Sequence, residues 1–317
     1  MEGFGVSVAF APDTALAALA FVAAGIALGT LSGLVPGLHA NNFALLMAAA
    51  AASVPGPPRL VGTAMLAAGV VHTFLDVVPA LALGVPDAAM AASALPGHRL
   101  VIEGRGREAL RLSALGSGLA VLLAVPLALP MTRAMVAVYP TIRANLPLVL
   151  GAVAAFLVVT ERTDRRRVGG ALAFGASAGL GWLLLDVDPA VPLSVGGMLM
   201  PLFAGLFGAP VLIEAIGGAG VPPQGDAGVT SPQRTVGLTA AVGAVSGAIV
   251  GYLPGVSAAV AATVTLPAVP RDDGARGFLV ATSGVNTSNT ILAPIRKARR
   301  TAAGQAERLP PRRPPGG

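Results

Sequence analysis

Long apolar runs without charged side chains alternate with short polar segments along this chain. About 20 apolar residues in a helix cross the ~30 Å hydrocarbon core of a bilayer, and the ten-residue alternation typical of membrane β-barrels is not present in the sequence. The pattern therefore predicts an all-α polytopic membrane protein. The uncharged runs cover residues 14–58, 112–132, 168–185, 189–213 and 278–295.

Composition supports a membrane location. Of the 317 residues, 54% are hydrophobic and 11% are charged, whereas soluble domains carry roughly a quarter charged residues. The chain contains no cysteine, so disulfides and thiolate metal sites are not expected. The acidic N-terminus, with Glu2 and Asp13, lacks the basic region of a signal peptide, and we expect the segment from Leu16 onward to be a retained span.

The basic residues are unevenly distributed. Residues 1–295 hold 14 basic and 14 acidic side chains, and the net charge of +6 comes from residues 296–317, which combine 7 Arg or Lys with Glu307. This distribution argues against a nucleic-acid partner. A basic, proline-rich tail is typical of a solvated, disordered end or of a patch that binds anionic lipid. A frameshift in a GC-rich gene would produce the same composition.

Arginine clusters predict the orientation of the chain. Residues 97–111 and 161–167 are the two densest clusters, and positively charged loops remain cytoplasmic. Two crossings fit between them, at about residues 112–130 and 146–160, and the loop at 186–189 then lies outside. The chain is thus expected to be a multi-pass protein of the cell membrane, with the lipid bilayer as its surroundings.

An internal repeat is the main organisational feature. The segments GIALGTLSGLVPGLH (25–39) and GAVSGAIVGYLPGVS (243–257) align without a gap at an offset of 218. Both contain three glycines spaced by four residues, followed by Pro-Gly. Glycine-rich composition could produce some likeness, but the common phase favours a duplication. The sequence predicts a first half at 1–130, intervening helices at 131–234, a second half at 235–295 and a tail at 296–317.

Both Pro-Gly pairs lie near the middle of an uncharged run that is too long for one span. Proline removes a backbone donor, and glycine accepts the dihedral angles of a chain reversal. Each copy is predicted to form two helical arms joined by a break, as a hairpin, a discontinuous span or a re-entrant loop. Alternatively, the prolines only kink packed helices whose glycines serve close helix contact.

Polar residues follow the breaks, and they predict a substrate site. Non-helical backbone at membrane depth lines a wet cavity, and a helix N-terminus attracts anions. Broken helices at corresponding positions of two repeats are typical of a transporter site at the bilayer midplane. The predicted substrate contacts at the breaks are Pro36, Gly37, His39, Asn41, Asn42, Pro254, Gly255 and Ser257.

A second polar group contains His72, Thr73 and Asp76. His72 and Asp76 are four residues apart, so they share one helix face and can form a hydrogen bond. Ionisable residues within membrane spans are costly and usually functional. The group is therefore predicted to bind a coupling cation, Na⁺ or H⁺, with a purely structural pair as the alternative.

The segment TSGVNTSNT (282–290) places seven hydroxyl or amide side chains in nine residues of an apolar run. It predicts an oxygen-rich site, with Asn286, Thr287 and Asn289 as further substrate contacts. The alternative is a set of hydroxyl groups that bond back to their own helix.

Enzyme motifs are not present in the sequence, which lacks a phosphate-binding loop, a zinc-protease helix and a nucleophile elbow. The chain is therefore not expected to be an enzyme or to need a cofactor. His39, His72 and Asp76 could form a metal site of two histidines and one carboxylate, so an intramembrane metal enzyme is an alternative. A non-transporting scaffold is another.

Several of these motifs together resemble one family. The doubled GxxxGxxPG, the polar segment after the first copy, and residues 86–117 resemble the large permease subunit of the tripartite tricarboxylate transporters, the TctA family. The basic helix start of that family corresponds here to Gly106, Arg107, Ala109 and Leu110. The likeness covers roughly residues 20–120 and 240–290 and is greatest to a shorter archaeal branch.

The resemblance implies ion-coupled secondary uptake of a small organic anion, a carboxylate, by alternating access around a midplane site. It also implies two partners, a small membrane subunit and a soluble solute-binding protein. His72 and Asp76 stand where members that transport tricarboxylates carry small neutral residues. The chain ends soon after residue 290, where relatives continue, so we expect either that the last helices are dispensable or that the chain is a truncated or frameshifted product.

Overall fold

The computed structural model describes most of the chain. The described residues are 2–3, 6–7, 12–35, 57–83, 91–187, 198, 201–202, 205–206, 209–217, 220–226, 228–253, 255–265 and 274–307. Within them the architecture is helical, except for a pairing of two-residue strands, β1 (Glu2–Gly3) and β2 (Val6–Ser7). The expectation of an all-α membrane protein is confirmed.

The helices are numbered along the chain. They are α1 (Pro12–Leu34), α2 (Pro58–Leu75), α3 (Val77–Leu83), α4 (Ala91–Ile102), α5 (Gly106–Ala144), α6 (Leu146–Val159), α7 (Asp164–Leu184), α8 (Ala209–Ile216), α9 (Gln233–Val250), α10 (Ala258–Thr265) and α11 (Gly274–Glu307).

Helices α1 and α2 pack backbone against backbone through the glycines of the first motif. A Cβ atom on Gly25 or Gly29 would overlap the carbonyl oxygen of Ala64 or Ala68, and one on Gly33 would lie 2.9 Å from the carbonyl oxygen of His72. Both series of residues increase together, so the two helices run parallel. Close approach of this kind is open only to glycine.

Helices α9 and α11 pack in the same way through the second motif. A Cβ atom on Gly243 would lie 2.5 Å from the carbonyl oxygen of Ala281, and one on Gly247 would overlap that of Val285. At the third glycine the neighbour is a side chain, because a Cβ atom on Gly251 would lie 3.2 Å from Asn289 Oδ1. These helices are also parallel.

Helix α5 is longer than the sequence predicts. The prediction that this helix ends near Pro130 is wrong. Helix α5 contains Pro126, Pro130 and Pro140 and is 39 residues long, or about 58 Å. The Thr132 hydroxyl, two residues after Pro130, donates to the carbonyl of Ala128 and contacts the Tyr252 hydroxyl, which connects this part of α5 to the residues after α9.

The basic tail also differs from its prediction. Residues 296–307, predicted to be a disordered end, form the last three turns of α11. This extension keeps the helix continuous from the polar segment at 282–290. Residues 308–317 lie outside the described part of the chain.

The core lies where α3, α4, α5, α9 and α11 meet. It is aliphatic and small, with Leu112, Leu279 and Val280 fully buried. Three stretches of the described chain are long and apolar enough to cross a membrane: Thr14–Leu34, Pro58–Leu83 and Gly106–Ala144. Many large apolar side chains outside this core are exposed, as expected of a surface that faces lipid.

Candidate functional site

The middle of α11 forms a buried polar surface in an otherwise apolar core. Thr282, Ser283, Asn286, Thr287 and Ser288 are each at most 3% exposed. The hydroxyls of Thr282 and Ser288 bond to backbone carbonyls of their own half, at Phe278 and Ala244. The other three side chains contact neighbouring helices.

Two contacts join this surface to the end of α2. The Thr73 and Thr287 hydroxyl oxygens are 3.0 Å apart, and the Asn286 amide donates to Asp76 Oδ2 at 2.8 Å. The two residues on α11 are adjacent, and the two on α2 are three apart. One carboxylate, one amide and two hydroxyls therefore lie within a single helical turn of each other.

His72 is placed beside this cluster by a different contact. Its Nδ1 lies 2.9 Å from the Ser32 hydroxyl of α1, and the side chain is 1% exposed. The predicted hydrogen bond between the His72 and Asp76 side chains stays a prediction, since the described bond between these residues runs from the Asp76 amide to the His72 carbonyl at 2.8 Å.

The helix is interrupted at Asp76, which contacts Asn286. Asp76 ends α2, and α3 begins at the next residue. Pro79 has no amide hydrogen to donate to the carbonyl of Leu75, which interrupts the helix here. The VVP sequence after Asp76 could have predicted this third break, which the sequence analysis missed.

Helix α5 adds two serines to the polar surface. Ser113 Oγ lies 2.9 Å from Ser283 Oγ, and Ser117 Oγ donates to the Ser283 carbonyl at 3.4 Å. All three serines are buried. The polar contacts therefore continue from α2 across α11 to α5.

A second cluster, also missed by the sequence analysis, surrounds Glu108 at the start of α5. Glu108 is fully buried, and its carboxylate accepts hydrogen bonds from Arg105 at 2.6 Å and from Arg276 Nε at 3.0 Å. The amide and hydroxyl of Thr230 donate to it at 3.0 and 2.8 Å. The hydrogen bond to Glu108 raises the pKa of Arg105 above its ordinary value, so this guanidinium stays charged. This cluster ties the beginnings of α5, α9 and α11 together.

The remaining predicted contacts are not brought to the polar cluster. Gly255 adopts φ +84° and lies against Leu150 of α6. Ser257 is exposed, and its hydroxyl accepts from the amide of Val260 at the start of α10. Asn289 is half-buried and faces Gly251. Pro36, Gly37, His39, Asn41, Asn42 and Pro254 lie outside the described residues.

An apolar groove of about 650 Å³ lies apart from the cluster, between α6, α7 and residues 255–260. Its walls include Leu150, Phe174 and Val260.

The alternative metal site of His39, His72 and Asp76 is not tested by the structure, because His39 lies outside the described residues. Within the described ranges no three His, Asp or Glu side chains form a metal site.

The cluster combines hard oxygen ligands with hydrogen-bond donors. The Asp76 carboxylate and the oxygens of Asn286, Thr73 and Thr287 are hard ligands of the kind that bind alkali and alkaline-earth cations. The amide and hydroxyl hydrogens of the same side chains are donors that suit a carboxylate.

Comparison with known proteins agrees with this picture. Residues 19–296 match the family described as the tripartite tricarboxylate transporter TctA family. The uncharacterized protein MJ1079 of Methanocaldococcus jannaschii is 27% identical over 284 residues, which cover 86% of this chain and 67% of that protein. No solved structure matches the chain. Because the family match spans most of the helices and both polar clusters, the chain belongs to the TctA family of tripartite tricarboxylate transporters.

Proposed function

We propose that this chain is a multi-pass permease of the cell membrane that transports a small organic carboxylate by ion-coupled secondary transport. The family is a transporter component, and the proposal adds the substrate class, the coupling and the site. The observation that carries it is the pair of contacts from α2 to α11, Asp76 to Asn286 and Thr73 to Thr287.

Burial of these polar side chains costs free energy, which favours a functional role for them. A carboxylate in an apolar interior loses the solvation that it has in water, and each polar group there needs a partner. Asp76 is 4% exposed, while Thr73 and Thr287 are at most 1% exposed. Polar groups kept at such depth between helices mark the pathway of an ion or a substrate.

The charge of Asp76 gives a physical reason for coupling. A carboxylate substrate near an ionised Asp76 would be repelled strongly, because charges interact more strongly at low dielectric than in water. A bound Na⁺ or a proton at Asp76 removes this repulsion. We propose that His72, Thr73 and Asp76 hold the coupling ion, and that Asn286, Thr287 and Asn289 donate to the substrate.

The family name implies partners for this chain. A tripartite system contains three components, so we propose that a small membrane subunit and a solute-binding protein deliver the substrate to this permease. The residues after the two Pro-Gly pairs remain proposed substrate contacts: His39, Asn41, Asn42 and Ser257.

Uptake into proteoliposomes tests the function. The purified full chain is reconstituted, and uptake of labelled citrate and succinate is measured with a Na⁺ gradient and a pH gradient imposed separately. We expect accumulation that depends on one of the gradients and that collapses when it is dissipated. Uptake equal to that of protein-free liposomes under both gradients, with the chain alone and again after co-reconstitution with the two proposed partners, would contradict the proposal.

Matched variants locate the site. Asp76→Asn should abolish the dependence on the gradient, and Thr287→Val should reduce uptake, because each removes a group of the contact between α2 and α11. Ser288→Ala is the control, since Ser288 is equally buried on the same helix but bonds to the carbonyl of Ala244. Equal losses in Thr287→Val and Ser288→Ala would contradict the site, and a stoichiometric metal lost in His72→Ala would favour an enzyme.

A further inference from the structure

We propose that the helix pairs α1–α2 and α9–α11 are inverted copies of one unit. The proposed pseudo-two-fold axis lies across the helices and passes near the contact of Thr73 with Thr287. The inference rests on the proposed multi-pass location, because only then does an axis across the helices lie in the plane of the membrane.

The first observation is that the two pairs share the same internal contacts. In each pair, three glycines spaced by four meet three residues that are also spaced by four on the partner helix. The contacted residues correspond as closely as the glycines: Ala281, Val285 and Asn289 follow Ala64, Ala68 and His72 by 217 residues. The correspondence therefore extends from the Gly-rich motif to a second helix.

The second observation is the direction of the crossing between the pairs. A Cβ atom on Gly69 would lie 2.9 Å from the Thr290 side chain. Thr73 meets Thr287, and Asp76 meets Asn286. Residue numbers rise on α2 as they fall on α11, so the helices are antiparallel. A duplication in the same orientation, related by an axis along the helices, would make α2 and α11 parallel.

The third observation is that the contacts are reciprocal, as a two-fold axis requires. Under the 217-residue correspondence, Thr290 is the equivalent of Thr73, and Asn286 is the equivalent of Gly69. The contact of Gly69 with Thr290 thus implies a contact of Thr73 with residue 286. The observed partner is Thr287, one residue away.

The helix starts distinguish the two ends of the bundle. The Glu108 cluster holds the starts of α5, α9 and α11 at one end. The start of α2, with Arg59, lies at the other end, together with residues 296–300 of α11. Basic residues lie at both ends, so the inversion rests on the helix contacts and not on the positive-inside rule.

Inversion places the polar cluster on the axis, and the pseudo-symmetry is broken there in one respect. His72 corresponds to Asn289 and Asp76 to Ala293, so the ionisable side chains belong to the first copy alone. Two inverted copies can exchange conformations, which opens a site on their axis to each side of the membrane in turn. The neutral copy then contributes donors, while the other contributes the titratable charge.

Cysteine labelling tests the inversion, because the chain has no native cysteine. Single variants Arg59→Cys at the start of α2 and Gln233→Cys at the start of α9 are treated with a membrane-impermeant maleimide. Arg107→Cys is the control, since the start of α5 lies at the same end as that of α9. We expect Arg59→Cys to label from one side of the membrane and the other two from the opposite side, one side being reached in intact cells and the other only after permeabilisation. Labelling of Arg59→Cys and Gln233→Cys from the same side would overturn the proposal.

Cross-linking provides a second measurement. The pair Gly69→Cys with Thr290→Cys should form a disulfide on mild oxidation, whereas Gly69→Cys with Ser283→Cys should not, because residue 69 lies opposite residue 290 only if the helices are antiparallel. A cross-link to Ser283→Cys of equal or higher yield would overturn the antiparallel crossing. Neither measurement requires transport: loss of uptake with the expected labelling contradicts only the function, and uptake with labelling from one side contradicts only the inversion.

Discussion

Glu108 illustrates how much a single residue can do at the boundary between helices. Its carboxylate is fully buried but receives donors from Arg105, Arg276 and Thr230. A buried charge is tolerated when its hydrogen bonds are complete, and its removal leaves the partner charges behind. Glu108 therefore holds three helix starts in register, whereas the buried carboxylate of Asp76 accepts a hydrogen bond from the Asn286 amide.

The Glu108 cluster is expected to stabilise the protein. Glu108→Gln should lower the free energy of unfolding by about 2 kcal/mol, below the full cost of breaking a buried pair, because both arginines are partly exposed. Glu103→Gln is the matched control, since Glu103 pairs with Arg99 on the exposed surface. Thermal unfolding of the two variants in detergent, followed by circular dichroism, makes the comparison. Equal midpoints would show that the Glu108 cluster does not stabilise the protein.

At the scale of elements, the glycine motifs bring helix backbones into contact. The three glycines of α1 face a parallel helix, as do Gly243 and Gly247 of α9 and Gly251 directly after it, whereas α7 carries Gly175 and Gly179 with no neighbouring atom within 4 Å. The same spacing thus has two outcomes. Glycine without a close neighbour only costs conformational entropy, while glycine at a close contact permits packing that no larger residue allows.

Substitution by alanine separates the two outcomes. Gly247→Ala should destabilise the protein by about 1–3 kcal/mol, because the new methyl group would overlap the carbonyl of Val285 and separate α9 from α11. Gly179→Ala should be neutral or stabilising by up to ~1 kcal/mol, through the gain in helix propensity. Unfolding midpoints in the same detergent provide the test. A Gly247→Ala variant as stable as the unmodified chain would contradict the close contact.

At the scale of the whole molecule, the surface is as informative as the core. Helices α6 and α7 bury none of their residues, and they present large apolar side chains such as Leu148, Phe156 and Leu172. Exposed apolar surface of this extent is unfavourable in water and neutral in lipid. The bundle therefore depends on the bilayer as its solvent.

The single tryptophan reports on this dependence. Trp182 lies in α7 and is 83% exposed, so in a bilayer its indole should contact lipid. We expect blue-shifted fluorescence that brominated lipids quench and that aqueous iodide leaves unchanged. Emission at the wavelength of tryptophan in water, with iodide quenching, would show that α7 does not face lipid.

The prolines and the charged residues show where prediction from sequence succeeded and failed. The sequence identified α6 and α7 within a few residues, because apolar composition decides helix formation in these segments. It ended the first crossing near Pro130, since proline usually interrupts a helix. The packing of this part of α5 against Tyr252, 120 residues from Thr132, is not visible in a local pattern. Glu108 was overlooked for the same reason, because its partners at 230 and 276 are remote in the chain.

The sequence by itself determined the membrane class, the helical architecture, the family and the spaced glycines, since each depends on local composition or on a motif. It also selected Thr73, Asp76, Asn286 and Thr287 as polar residues in apolar surroundings. Only the tertiary structure decided that these four meet, that Ser257 caps a helix and that α2 crosses α11 antiparallel. Such pairings depend on how helices pack across more than 200 residues of chain, and the pattern of one helix carries no information about the direction of its neighbour.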